Sequence, residues 1–174
     1  MILGITGGAR HGKDTIADFI GLNVTRTIKV SFAEPLKRAA QEAFKGWGDI
    51  NWEAKDSEYL PIEGKHTIRD LYIAMGKGLR EYLDPDIWIK LAMKKILIES
   101  QRHTVLITDV RYPNEAEAIR IIGGKILKVI RPSLLPYSEA EVQIEKIVPD
   151  KTIMNSRDLV FLERLVISEV LPML

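Results

Sequence analysis

The sequence predicts an α/β fold: a five-stranded, mostly parallel sheet with helices on both faces. Three observations lead there. Short β-rich apolar runs alternate with amphipathic stretches at helical spacing, which is the pattern of βαβ units. A glycine-rich turn spanning Gly7 to Thr15 joins the first apolar run to the first helix. A carboxylate, Asp109, closes a later apolar run.

Composition sets the outer bounds. A chain of 174 residues, 46% of them apolar, is long enough for one α/β domain with its own core. The net charge of +1 argues against a basic face for nucleic acid. With no cysteine, disulfides and thiolate metal sites are excluded. No signal-peptide pattern and no apolar run of membrane-spanning length stand out, so the expectation is a soluble, cytoplasmic protein without a membrane partner.

Met1-Ile2-Leu3-Gly4-Ile5-Thr6 reads as a buried first strand. The next stretch, Gly7-Gly8-Ala9-Arg10-His11-Gly12-Lys13-Asp14-Thr15, reads as a phosphate-binding loop. Glycines let the backbone curl until successive N–H groups face one anion, and the helix beginning near Gly12 adds its positive end. Lys13 can reach the β- and γ-phosphates of a nucleoside triphosphate, and a nearby hydroxyl can serve Mg²⁺. In the strict pattern a Ser or Thr follows the lysine. Here Asp14 stands in that place and the hydroxyl comes one step later, at Thr15. Asp14 binding the metal directly, Asp14 binding through water, and Asp14 turned away all stay open. Ile16, Ala17, Phe19 and Ile20 supply the helix.

Residues 27–32 read as a second strand, and Pro35 suits the first turn of the helix after it. Leu36, Ala39, Ala40, Ala43 and Phe44 fall on one face of that helix, with Lys37, Arg38 and Glu42 elsewhere. Residues 45–66 form a loop-rich excursion whose Trp47, Trp52 and Tyr59 either build a satellite core or line a base pocket. Thr67, with Asp70 three residues on, caps a helix that carries Ile68, Leu71, Tyr72, Met75 and Leu79 on one side. Asp84-Pro85 is a break, and a long helix follows from about Asp86 to Ser100.

His103 to Asp109 is the third strand. A carboxylate at its C-terminal tip, in a chain with a phosphate loop, is where Mg²⁺ is held directly or through water. Arg111 follows in a position to bind phosphate. Pro113 opens a helix that Gly123-Gly124 ends. Lys125 to Ile130 is the fourth strand and leads into Arg131-Pro132. Ser138 and Glu141 have the spacing of a capping box. Lys151 to Met154 is a short fifth strand. Asn155-Ser156 should then cap a terminal helix that turns Leu159, Leu162, Leu165, Val166 and Val170 inward. His11, His66 and His103 have no ligand spacing and form no metal set.

These parts describe phosphoryl transfer, which needs positioning and charge neutralisation more than a covalent catalyst. They also carry a resemblance. Gly12-Lys13-Asp14-Thr15, Ser31-Phe32-Ala33-Glu34-Pro35-Leu36-Lys37, Met75-Gly76 through Arg80-Glu81, Asp84-Pro85-Asp86-Ile87-Trp88 and Thr108-Asp109-Val110-Arg111-Tyr112-Pro113-Asn114-Glu115 run in order along the chain. Ile122-Gly123-Gly124, Arg131-Pro132 and Asn155 complete the series. In this the chain resembles the bacteriophage-type deoxynucleoside monophosphate kinases, a branch of the adenylate-kinase-like P-loop kinases.

The resemblance implies transfer of the γ-phosphoryl group of ATP to a deoxynucleoside 5′-monophosphate for DNA precursor supply. It implies a P-loop NTPase domain over residues 1–174, with a substrate-binding insertion at about 45–87 and a short lid at about 132–150. Gly7, Gly8, Ala9, Arg10, His11, Gly12, Lys13, Asp14 and Thr15 would hold ATP with Mg²⁺, and Asp109 would support the metal. Lys13, Asp109 and Arg111 carry the catalytic expectation. Arg38, Arg80 and Arg111 are candidates for the monophosphate's anion, Trp88 for the base pocket, Arg131 for the lid and Asn155 for the adenine side. A homodimer is implied by the resemblance alone. Two rivals remain: another small-molecule kinase, one resembling dephospho-coenzyme A kinase, and an ATP-binding module with no small acceptor.

Overall fold

The computed structural model describes residues 1–132 and 139–174. In chain order its elements are β1 (Ile2–Thr6), α1 (Lys13–Asn23), β2 (Thr27–Val30), α2 (Glu34–Ala43), α3 (Ile68–Tyr82) and α4 (Ile87–Ser100). Then come β3 (Thr104–Val110), α5 (Pro113–Ile121), β4 (Lys125–Ile130), α6 (Glu139–Ile144), β5 (Lys151–Met154) and α7 (Leu159–Leu165). The chain divides into two compact units, residues 1–31 with 93–174, and residues 32–92.

The first unit holds the sheet, ordered β2-β3-β1-β4-β5. Every pairing is parallel, so "mostly parallel" becomes wholly parallel. The register sets Leu3 beside Leu106, Thr6 beside Val110 and Lys128, and Ile130 beside Met154. All five residues of β1 are buried, as expected of a central strand covered on both sides. On one face Leu3, Ile5, Leu127 and Val129 pack with Ile16 and Ile20 of α1 and Leu162 of α7. Each such fully buried aliphatic side chain contributes about 1.5–3 kcal/mol relative to exposure. On the other face α5 lies so close that a methyl group on Gly4 would come within 2.7 Å of Ile119. A side chain there would have to push the tips of Ile119 and Ile126 aside.

The chain that returns after residue 138 is fastened to β4. Asp150 accepts the Ile126 N–H on its carboxylate at 2.7 Å, and Lys128 pairs with Glu145 at 2.9 Å.

In the second unit aromatics of the excursion cluster with Phe44 and Tyr72. Phe44 lies 5.3 Å from Trp47 and 6.5 Å from Trp52, and Trp52 stacks on Tyr72 at 6.3 Å. Trp47 and Tyr59 stay exposed, and Tyr59 makes a bridge to Thr67. Thr67 and Asp70 form the expected capping box.

Three expectations need correction. β2 ends at Val30, before Ser31 and Phe32. The terminal helix is capped by Asp158, whose carboxylate accepts the Phe161 N–H at 2.8 Å, not by Asn155-Ser156. Leu159, its first residue, is exposed, because the core-facing stripe starts one turn later at Leu162. The proposed cap by Ser138 lies outside the described residues, as does the 133–138 part of the expected lid.

Candidate functional site

Parallel strands bring their C-terminal ends to one edge, and there β1 passes into the glycine-rich loop. Gly7 has φ 144°, and a Cβ on it would stand 2.4 Å from the Val129 carbonyl oxygen. Gly12, at φ 95°, starts α1 from a left-handed conformation. These two positions require glycine, since a side chain there meets either backbone or strain. Between them Arg10 also takes a positive φ of 62°. Lys13 folds back over the loop, and its ammonium donates to the Gly7 and Gly8 carbonyls at 2.8 and 2.7 Å. The loop is thus curled around its own lysine at the positive end of an eleven-residue helix.

Two contacts fasten this loop to the neighbouring strand ends, and a third ties those ends to each other. His11 Nδ1 lies 3.1 Å from the Val129 carbonyl oxygen, a donated bond in the tautomer that carries the proton there. Asn155 donates from Nδ2 to the His11 carbonyl at 3.0 Å. Its backbone N–H donates to the Ile130 carbonyl at 2.8 Å. Asn155 is 5% exposed, so this polar side chain is committed to the interior.

A cavity of about 360 Å³ opens beside the loop. Gly12, Lys13, Asp14 and Thr15 form one wall, with Arg10, Arg131 and Asn155 on others, so seven of the expected residues meet here. Arg157 completes it, with its guanidinium 4.8 Å above the Phe161 ring. Sequence reading missed Arg157, although its place two residues past Asn155 was a signal. Three guanidinium groups around a cavity at a helix N-terminus make a site for a polyanion.

Asp109 ends up near the tip of β3, where the Ser31 hydroxyl donates to its Oδ2 at 2.6 Å. Sequence reading did not single out Ser31 for this. Among the described residues no three His, Cys, Asp or Glu side chains come together as a metal cage. The donor set fits Mg²⁺ all the same, because that ion is held through one or two carboxylates, with phosphate and water making up the rest. Asp109, Thr15 and Asp14 would hold it.

Arg111 is exposed, with its backbone N–H donated to the Glu115 carboxylate at 2.7 Å. The remaining candidates belong to the second unit. Arg38 is exposed on α2. Arg80 donates to the Gly76 carbonyl at 3.0 Å. Trp88, expected to help shape the base pocket, is 2% exposed and gives its indole N–H to the same carbonyl at 3.1 Å, so it is buried within that unit.

No family model matches the chain. It is 29% identical over 147 residues to a protein of Acanthamoeba polyphaga mimivirus named "Putative deoxynucleotide monophosphate kinase", covering 77% of this chain and 76% of that one. Among solved structures, TT1252 from Thermus thermophilus superposes with a TM-score of 0.54 at 19% identity, over 100% of this chain and 97% of that one. Shikimate kinase from Aquifex aeolicus gives 0.51 at 11% identity, over 96% and 94%. Dephospho-CoA kinase from Campylobacter jejuni gives 0.50 at 12%, over 98% and 96%. At such identities the likeness is one of fold: the parallel α/β architecture described above is shared with these structures.

Proposed function

We propose that the chain is a deoxynucleoside monophosphate kinase of the bacteriophage-type branch, transferring the γ-phosphoryl group of ATP to a deoxynucleoside 5′-monophosphate. The observation that carries the reading is the loop curled around Lys13, with Asp109 and its Ser31 donor at the tip of a strand in the same sheet. The mimivirus protein's name supports the choice of acceptor. We take the chain as one kinase domain, with a substrate-binding insertion at about 45–87 and a lid at about 132–150.

In the reaction an oxygen of the acceptor's phosphate bonds to the γ-phosphorus while the bond to the β,γ-bridging oxygen breaks, giving two diphosphates. Lys13 leaves the Gly7 and Gly8 carbonyls for the β- and γ-phosphates and offsets charge that grows in the transition state. One such donor is worth about 3–4 kcal/mol. Mg²⁺, when bound, supplies further positive charge and a fixed phosphate geometry. Asp109, held by Ser31, and the side chains of Asp14 and Thr15 would hold it. Arg10 and Arg131 neutralise the phosphate chain, and Asn155 borders the adenine. Arg111 receives the acceptor's anion through forked hydrogen bonds, and we assign Arg38 and Arg80 to substrate contacts. Arg131 also opens the lid that excludes water, which otherwise competes as acceptor.

The test is ATP consumption with Mg²⁺ against dAMP, dGMP, dCMP, dTMP, their ribose counterparts and dephospho-coenzyme A. Lys13→Ala serves as the control. Diphosphate formed from a deoxynucleotide, and reduced about 10²–10³-fold in the control, is the expected result. Turnover only with dephospho-coenzyme A, or none above the ATP-only rate, overturns the reading.

A further inference from the structure

Glu115 is one of the few charged residues in the interior, at 3% exposure. A carboxylate in such a place is costly unless hydrogen bonds replace its water. Its Oε2 accepts two consecutive backbone N–H groups, from Arg111 at 2.7 Å and from Tyr112 at 3.1 Å. The second bond is ordinary helix capping, since Tyr112 is the N-cap of α5 and Glu115 is its third helical residue. The first bond is not. Arg111 lies outside the helix, and the shorter bond goes to it.

The cap of α3 provides a comparison within the same chain. There the Asp70 carboxylate also accepts the N-cap N–H, from Thr67 at 2.8 Å, but it stays exposed and reaches no further back. Capping alone therefore requires neither burial nor a bond to the preceding residue. At α5 both are present, and they bear on a single residue. Val110, just before Arg111, is 0% exposed in β3. Arg111 is thus fixed on both sides of its Cα while its guanidinium remains at the surface.

We infer that Glu115 is a positioning residue that presets the Arg111 backbone two residues beyond Asp109, so that the guanidinium meets the acceptor's phosphate without first ordering its own main chain. The inference rests on the kinase reading for the identity of that anion. Ordering a backbone residue at the moment of binding would weaken the acceptor complex, and a preset residue avoids that cost.

Two measurements on Glu115→Gln and Glu115→Ala test it. The first is amide hydrogen exchange at Arg111 and Tyr112. The second is the KM for the best deoxynucleotide and for ATP, with Arg111→Ala and the double variant alongside. Glu115→Ala is expected to speed exchange at Arg111 and to raise the acceptor KM about tenfold, with the ATP KM within twofold of wild type. Glu115→Gln keeps one acceptor oxygen and most of the volume, so it recovers most of both effects. In the Arg111→Ala background the Glu115 substitutions add nothing to the acceptor KM. Exchange at Arg111 unchanged in both Glu115 variants overturns the inference. So do equal rises in the two KM values, or full additivity with Arg111→Ala. Wild-type protein that turns over no deoxynucleotide defeats the kinase reading on its own, while exchange at Arg111 still decides whether Glu115 holds that backbone.

Discussion

Asn155→Ala isolates the tie between the phosphate loop and the end of β5. The backbone bond from Asn155 N–H to Ile130 survives the substitution, so the change deletes one side-chain bond, the 3.0 Å donation to the His11 carbonyl. The side chain also rests against Gly12, with Nδ2 2.7 Å from where a Cβ would stand, so its removal leaves space beside the first turn of α1. A lost hydrogen bond with a half-buried carbonyl left behind costs about 1–2 kcal/mol. Because the bond ends on the loop and not on the sheet, the loss falls on loop preorganisation, and ATP affinity drops about 5–30-fold. Were it to fall on global stability instead, Tm would drop by roughly 2–8 °C. Asn155→Asp is expected to be worse than Ala, since its carboxylate would face the His11 carbonyl with no proton to donate. Isothermal titration with a non-hydrolysable ATP analogue, next to thermal melts of the three proteins, measures both quantities. ATP affinity equal to wild type in Asn155→Ala would refute the reasoning, as would a Tm loss of this size with affinity intact.

Ser31→Ala removes the donor to Asp109 and is expected to raise the Mg²⁺ concentration for half-maximal turnover about tenfold, leaving metal-free nucleotide binding as it is, in a Mg²⁺ titration with and without the variant. Gly7→Ala must place a methyl group 2.4 Å from the Val129 carbonyl in a backbone conformation that side chains avoid, and melts should show Tm lower by roughly 6–12 °C. Asp70 is held below the ordinary carboxylate range, first by the Thr67 backbone N–H and then by its hydroxyl. Its contribution is therefore present above that range and lost as pH falls through the depressed value, so Asp70→Asn should melt below wild type at neutral pH and converge with it in acid.

What was legible in the sequence was local. The glycine spacing around Lys13, the Thr67–Asp70 cap and Pro113 at the head of α5 each specify their own backbone within a few residues, and each element formed where read. What was illegible depends on distant partners. Asn155 looks like a helix cap because it precedes an apolar stripe, yet its amide bonds to a loop 144 positions earlier, and Asp158 takes the capping place. Trp88 closes a distinctive block, but the block does not tell which group its indole meets. That N–H satisfies the Gly76 carbonyl twelve residues away, on a helix whose packing no local pattern reveals. Ser31 gave no signal as a partner for Asp109, because the pair meets only once β2 and β3 lie side by side.

The parallel sheet explains why these unreadable contacts collect in one place. Strands that all run the same way deliver every C-terminal end to a single edge, whatever their order in the chain. Thr6 leads into the loop, Ser31 follows β2, Asp109 sits at the tip of β3, Arg131 follows β4 and Asn155 follows β5. Thr6 is marked by the glycine-rich loop it leads into, and Asp109 by the apolar run it closes. The other three are brought there by topology: Ser31 by a strand paired with β3, Arg131 and Asn155 by strands on the other side of β1. A phosphate loop therefore predicts that the residues after each remaining strand belong to its site, even where nothing local marks them. Arg157, two residues past Asn155 and on the wall of the same cavity, is a residue that this rule recovers and a motif search does not.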